Sequence, residues 1–241
     1  MKKLLIMLVA VSLLYSCDHQ RPGTPPVEQP RTEVPPPQPE QFAEPEPLSM
    51  EDTAAVTHTA VMNTTAGTIT LGLYGNDAPK TVENFIALAR KNYYNGILFH
   101  RVVKGFVIQA GDPLTKDPSQ RDRWGTGGEG HLSPMIEDEL DPQTPSFRTG
   151  YTRGTLAMAN RAQPNTGGSQ FFIVTKDAPQ LPKKYTIFGK VLDGMDVVDK
   201  IEDGEIDEQG VGGGAPKNPV AIRSVKIQEL KAQDAAKTAK R

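Results

Sequence analysis

From about residue 58 onward, the chain contains short stretches in which apolar and polar residues alternate, the pattern of half-buried β-strands. The first two stretches, around Val61-Met62 and from Ile69 to Leu73, are joined through residues 64–67 and predict a β-hairpin. Further strands are predicted over 97–103, 105–110, 154–160, 170–175, 185–192 and 220–229.

Helical periodicity is found in two places. After Pro79, which the first turn of a helix tolerates, apolar residues recur at i, i+3, i+4 and i+7, and this helix region ends at Asn95-Gly96. A second, shorter helix is predicted around Met195 to Ile201. Many short strands, two helices and connections rich in glycine and proline together predict a mainly β protein with an antiparallel sheet closed on itself.

The N-terminus has the pattern of an export signal. Residues 1–16 begin with charged lysines and continue with an apolar run from Leu4 to Leu14 that is too short to span a bilayer. Cys17 is the one cysteine of the sequence, and the string Leu14-Tyr15-Ser16-Cys17 resembles the lipobox of bacterial lipoproteins. We therefore expect residues 1–16 to be removed as a signal peptide. A lipid on Cys17 would then anchor the protein to a membrane of the bacterial cell envelope, on the periplasmic face or the cell surface.

Composition divides the rest of the chain. Residues 17–57 are rich in proline, glutamate and glutamine, and such a segment cannot bury enough apolar area to offset the entropy lost on ordering. We predict a disordered, extended linker there, with a PxxP ligand for a partner domain as the alternative. The folded domain is predicted over 58–230, and residues 231–241 are expected to form a charged tail.

Charge and the weaker motifs narrow the possible functions. A formal net charge of −2 provides no basic field, so no nucleic-acid partner is expected. The glycines from Gly125 to Gly130 fit GxGxxG, but they neither follow a strand of a βαβ unit nor open a helix, which argues against dinucleotide binding. The four histidines show no ligand spacing, so neither a metal nor a cofactor is expected.

Two apolar segments contain the candidate chemistry. The first, Phe99 to Asp112, has Arg101 and Gln109 as its polar exceptions. Period-two alternation places Arg101 on the face opposite His100, which is expected to point inward and to form structural hydrogen bonds. On its own, an arginine in an apolar strand is more often an ion-pair partner or an edge-strand charge than a catalytic residue. The second segment, Gly154 to Thr175, has two strand-like runs around a loop of turn-forming residues.

Together the two segments resemble the cyclophilin family of peptidyl-prolyl cis–trans isomerases. The resemblance runs from about Val61 to about Gln228, through the strings FHRVV, GFVIQAGD, GTGG, LAMAN, PNTGGSQFFI and FGKV. It implies a closed eight-stranded antiparallel β-barrel, capped by an α-helix at each open end. Because side chains fill the interior of such a barrel, the binding groove is expected on its outside.

Rotation about an X–Pro bond must break amide conjugation, against a barrier of about 18–20 kcal/mol. A catalyst needs an apolar slot for the proline ring and a donor near the amide that becomes a better partner on twisting. The resemblance implies that Arg101 is this donor, and that Gln109 binds the substrate carbonyl and positions Arg101. The other site residues it implies are the proline slot, formed by Phe106, Val107, Phe172 and Leu181, and the groove residues Ala159, Asn160, Gln170 and Tyr185.

The loop after Asp112 departs from the shorter family pattern. The string LTKDPSQRDRW lengthens it and ends at Trp124, the one tryptophan of the sequence. A tryptophan beside Arg121 and Arg123 is more often a packing anchor than a substrate contact, and both interpretations remain open. We hypothesise that the loop borders the groove and tunes substrate choice.

The function expected from these features is isomerisation of X–Pro bonds in proline-containing segments of exported proteins. The protein would act as a monomer, tethered through its lipid. The alternative is a module that binds proline-containing segments, or a chaperone, with little catalytic activity. The set formed by Arg101, Gln109 and Phe172 favours catalysis.

Overall fold

The computed structural model describes residues 54–128, 130, 135–207 and 213–229. The expectations for the signal peptide, for Cys17, for residues 17–53 of the linker and for the tail over 231–241 lie outside these residues. Within them, the predicted hairpin and the two predicted helices are present, and additional short elements appear.

The strands are β1 His58–Thr64, β2 Thr68–Leu73, β3 Arg101–Val103, β4 Val107–Ala110, β5 Thr155–Met158, β6 Phe171–Val174, β7 Ile187–Asp193, β8 Ile206–Asp207, β9 Ala215–Pro216 and β10 Ile222–Glu229. The α-helices are α1 Pro79–Arg90, α2 Pro145–Thr149 and α3 Met195–Glu202. Two short 3₁₀ helices, Pro113–Lys116 and Pro118–Arg123, form the lengthened loop. The helix α1 ends at Arg90, before the predicted Asn95-Gly96, and turns occupy the interval. None of the helices in the described ranges is long and apolar enough to cross a membrane.

Eight strands form one curled antiparallel sheet in the order β10-β1-β2-β7-β5-β6-β4-β3, and β8 pairs with β9. The mainly β fold is as predicted, but the closed barrel is not confirmed, because β3 and β10 share no ladder. The predicted strand over 97–103 is a strand only from Arg101. Before it, the N–H of Leu98 donates to Thr115 Oγ1 at 3.0 Å, and a single bridge joins Leu98 to Ala221.

The concave side of the sheet is filled by side chains. The apolar face of α1 contributes Phe85, whose ring lies 5.0 Å from that of Tyr94, 5.8 Å from that of Phe171 and 5.5 Å from that of Phe188, centroid to centroid. All four rings are buried. This packing confirms that side chains fill the interior, as predicted.

The strand β6 has residues on both faces of the sheet. Phe171 and Ile173 belong to the interior cluster, whereas Phe172 and Val174 belong to a second apolar cluster on the outer face. Side chains alternate along a strand, so neighbouring residues of β6 serve the core and the outer surface in turn. The outer cluster is the floor on which the candidate site is built.

Candidate active site

Strand pairing places the candidate catalytic residues side by side. Arg101 of β3 is paired with Gln109 of β4, and Gln109 is paired in turn with Phe172 of β6. A guanidinium N–H of Arg101 donates to Gln109 Oε1 at 3.1 Å. The cation is thereby held at the edge of the apolar outer cluster.

The Gln109 amide is oriented by a chain of hydrogen bonds. Its Nε2 donates to Gln170 Oε1 at 2.8 Å, and Gln170 Nε2 donates to the carbonyls of Gly127 at 2.6 Å and Gly125 at 3.0 Å. The Gln109 oxygen accepts from Arg101, and one of its N–H groups donates to Gln170. Among the described residues its second N–H has no partner, so it can donate to a substrate carbonyl.

A cleft of about 930 Å³ brings most of the predicted site residues together. Its walls include Arg101, Phe106, Val107, Gln109, Ala159, Asn160, Phe172, Leu181 and Tyr185. Gln170 instead lines an adjoining cavity of about 340 Å³, which it shares with Gln109, Ala159 and Asn160. The structure therefore assembles all ten predicted residues in one connected region, while their roles remain predictions.

The floor of the slot is fixed by aromatic packing. The rings of Phe172 and Tyr185 meet edge to face with centroids 5.4 Å apart. Tyr151 holds the backbone beneath them, since its hydroxyl donates to the Tyr185 carbonyl at 2.9 Å and accepts from the Tyr185 N–H at 3.0 Å. A ring that packs on Phe172 thus meets a surface that is already ordered.

Ala159 and Asn160 form the wall where a substrate strand is expected to add. They follow directly on β5, and the Ala159 N–H donates to the Gln170 carbonyl at 2.9 Å. The Asn160 side chain donates to the Lys184 carbonyl at 2.9 Å. Both residues are anchored to their neighbours, so this wall is formed before any substrate binds.

The electrostatics of the site centre on Arg101. Burial lowers the pKa of its guanidinium, and nearby Tyr185 opposes that shift. The group keeps its charge because a guanidinium is not deprotonated in proteins. Partial removal of water strengthens the interaction of that charge with a dipole placed against it.

His100 lies behind Arg101 and faces inward, as predicted. It is buried, and neither ring nitrogen has a hydrogen-bond partner among the described residues, so a hydrogen-bonding role is not observed. Burial lowers its pKa from 6.5 to about 4, which keeps the imidazole neutral beside the Arg101 cation at neutral pH.

Acidification is expected to destabilise the fold through His100. The unfolded chain binds a proton at this residue near pH 6.5 and the folded protein only near pH 4, so the free energy of unfolding should fall as pH drops through that interval. The loss should reach about 3 kcal/mol at most. Urea unfolding at pH 7 and pH 4.5 measures it, and His100→Gln should remove the His100 part of the difference. An identical pH dependence in the wild type and the variant would contradict this account.

Several cleft residues were not predicted as site residues. Arg121, Asp122 and Trp124 come from the lengthened loop, and Asp207 with residues 213–215 comes from the β8–β9 region. A large aromatic residue in an otherwise polar loop, directly before the matching GTGG string, was the one signal available in the sequence. This signal could not decide whether Trp124 is a packing anchor or a substrate contact, because the periodicity of apolar residues does not predict the conformation of a loop.

Comparison with known proteins agrees with this geometry. Residues 59–227 match the family model described as cyclophilin type peptidyl-prolyl cis-trans isomerase/CLD. The chain is 39% identical over 166 residues to peptidyl-prolyl cis-trans isomerase-like 3 of Gallus gallus, a match covering 69% of this chain and 93% of that protein. It is 46% identical over 150 residues to a peptidyl-prolyl cis-trans isomerase of Arabidopsis thaliana, covering 62% of this chain and 22% of the relative.

Solved structures show the same relationship. A cyclophilin type peptidyl-prolyl cis-trans isomerase of Cryptosporidium parvum superimposes with a TM-score of 0.62 at 32% identity, covering 73% of this chain and 99% of the other. A second structure of that protein, determined in the presence of the dipeptide Ala-Pro, gives a TM-score of 0.61 at 33% identity. On the matched family model, the sequence identity and the fold, the chain belongs to the cyclophilin-type peptidyl-prolyl cis–trans isomerase family.

Proposed function

We propose that this protein is an active isomerase that accelerates rotation about X–Pro bonds in exported proteins. The observation that carries the proposal is the Arg101 guanidinium, held by Gln109 at the rim of the apolar slot floored by Phe172. A cation in this position faces the amide of a proline whose ring lies in the slot. The arrangement matches what amide rotation requires.

The catalytic step involves no covalent bond to the protein. The proline ring enters the slot, and the free N–H of Gln109 holds the carbonyl of the preceding residue. As the amide twists, its nitrogen loses conjugation and becomes a better acceptor, and Arg101 donates to it. Because this interaction is stronger in the twisted state than in the planar one, it lowers the barrier.

The direct test is the cis-to-trans exchange rate of a short Ala-Pro-Phe peptide, measured by NMR exchange spectroscopy with the purified protein. We expect acceleration far above the uncatalysed exchange, which takes tens to hundreds of seconds. A folded protein that binds the peptide without accelerating exchange would favour the alternative, a module that holds proline-containing segments.

We further propose that the enzyme is a bacterial lipoprotein anchored through Cys17. The support is the sequence pattern of a short apolar signal followed by a lipobox-like string and a proline-rich segment. An anchor of this kind would confine the activity to proteins that cross the membrane. A single acyl chain binds a membrane only marginally, so stable attachment calls for more than one.

Replacing Cys17 by serine should abolish lipid attachment. In a bacterial host that processes lipoproteins, the wild type is expected in the detergent phase of a Triton X-114 extraction and Cys17→Ser in the aqueous phase. Mass spectrometry of the mature N-terminus should show a diacylglycerol-sized increase on the wild type alone. A wild type with an unmodified Cys17 would refute the anchor without bearing on the isomerase activity.

A further inference from the structure

The lengthened loop over 113–124 is closed at its base by one carboxylate. Asp112 is fully buried, and its Oδ1 accepts the N–H of Leu114 at 2.8 Å. Its Oδ2 accepts the N–H groups of Gly125 at 2.5 Å and Gly127 at 3.1 Å. The Asp112 side chain thus joins the start of the loop to the residues that follow it. This fixes where the chain returns to the wall of the groove.

The far end of the loop is held by a second set of contacts. Arg121 donates to the Pro216 carbonyl at 2.9 Å, and its guanidinium lies 4.9 Å from the centre of the Trp124 ring. The indole N–H of Trp124 donates to the Asp117 carbonyl at 3.4 Å. The polar edge of the indole is therefore satisfied within the loop, and its ring is held by a cation that is itself anchored.

Trp124 lines the same cleft as Arg101 and the proline slot. The volume of that cleft, about 930 Å³, is in the range that encloses a drug-sized ligand, so it accommodates more than one prolyl residue. The charges that the loop brings to it are Arg121 and Asp122, which are opposite in sign. Charge therefore gives this part of the cleft no clear preference for acidic or basic substrates, whereas the indole offers an apolar surface.

We infer that Trp124 is a specificity-determining residue that selects substrates with a large apolar side chain, aromatic above all, beside the proline. The inference rests on the proposed isomerase function and adds the substrate class of the same groove. An indole held in place before binding loses little conformational entropy when a side chain packs on it. Aromatic pairs also gain energy beyond their buried area.

The test compares two peptide series in the full protein, one varying the residue before the proline and one the residue after it, with Phe, Leu, Ala, Glu and Lys at the varied position. NMR exchange gives kcat/KM for each peptide without a coupled protease. We expect the Phe and Leu peptides to exceed the Ala peptide by about five- to tenfold in at least one series, with Glu and Lys giving no such gain. Trp124→Ala should reduce this ratio to near one.

Two matched variants separate the indole from the loop. Trp124→Phe keeps an aromatic surface and should keep most of the preference. Arg123→Ala removes a neighbouring side chain that bonds to Gln120 and does not line the cleft, and the preference should stay at its wild-type value. A wild type without the preference, or a Trp124→Ala variant that retains it, would overturn the inference.

The role of Trp124 in substrate choice can be tested even if the protein proves to have no isomerase activity. If no peptide is isomerised, calorimetric titration of the same peptides and variants yields the same ratios as dissociation constants. Trp124 is the one tryptophan of the sequence, so its fluorescence also reports directly whether the varied side chain reaches it. Tighter binding of the Phe peptide with a change in Trp124 emission, lost in Trp124→Ala, would support the inference in an inactive protein.

Discussion

Replacing Arg101 with alanine is expected to lower kcat/KM for Ala-Pro-Phe peptide exchange by about 10²–10³-fold. Among the described residues, Arg101 is the one cation that Gln109 holds at the rim of the proline slot, and the variant loses it. Peptide affinity should change much less, since the slot and the Ala159–Asn160 wall remain. The loss should therefore appear mainly in kcat, as expected for a contact that strengthens in the transition state. NMR exchange rates at several peptide concentrations separate the two parameters.

Arg101→Lys is the control for charge. Lysine keeps the positive charge, but its ammonium is a point charge on a flexible stem. It lacks the planar guanidinium, which can bond to Gln109 and to the substrate at the same time. We expect it to recover only a small part of the lost activity. Circular dichroism and urea unfolding should show that both variants fold. Wild-type kcat in a folded Arg101→Ala variant would remove Arg101 from the mechanism and leave the proposed step without its donor.

Replacing Asp112 with alanine is expected to lower the free energy of unfolding by about 2–4 kcal/mol. The buried carboxylate accepts three backbone N–H groups, from Leu114, Gly125 and Gly127, and the methyl group of alanine accepts none. The two glycines also hold Gln170 through their carbonyls, so the chain of hydrogen bonds that ends at Arg101 should loosen. Urea unfolding measures the stability, and peptide exchange should show a fall in kcat/KM.

Asp117→Ala provides a matched comparison in the same loop. Asp117 also caps a 3₁₀ helix, accepting the Ser119 N–H at 2.9 Å, but its side chain is exposed and does not line the cleft, and Asp117→Ala keeps the backbone carbonyl that accepts from the Trp124 indole. Its loss should cost about 1 kcal/mol or less and leave kcat/KM unchanged. Asp112 is the N-cap of the 3₁₀ helix Pro113–Lys116. If the two substitutions destabilised the protein equally, Asp112 would act only as such a cap and not as the residue that closes the loop.

Side-chain alternation made the face of the candidate site predictable within each strand. Arg101, Gln109 and Phe172 then share one face because the three residues are paired directly across neighbouring strands. The family resemblance then supplied their expected roles. The inward position of His100 followed from the same alternation.

Features that depend on distant contacts were not predictable. The barrel was expected to close, but between β10 and the segment before β3 there is only the single bridge Leu98–Ala221, and β3 begins at Arg101. The position of Trp124 depends on Arg121, whose partner Pro216 is 95 residues away in sequence. Neither contact leaves a periodic signal, so the sequence favoured a packing anchor at Trp124 and left the substrate contact open.

The two-faced strand β6 has a mechanical consequence for the proline slot. A substrate that presses on Phe172 transmits force through a shared backbone to Phe171 and Ile173, which are fully buried in the interior. Protein interiors have low compressibility, so the slot resists widening about as strongly as the core resists being squeezed. The floor of the slot is therefore expected to keep its shape when a ring enters, because any displacement of Phe172 must also displace the packed core behind it.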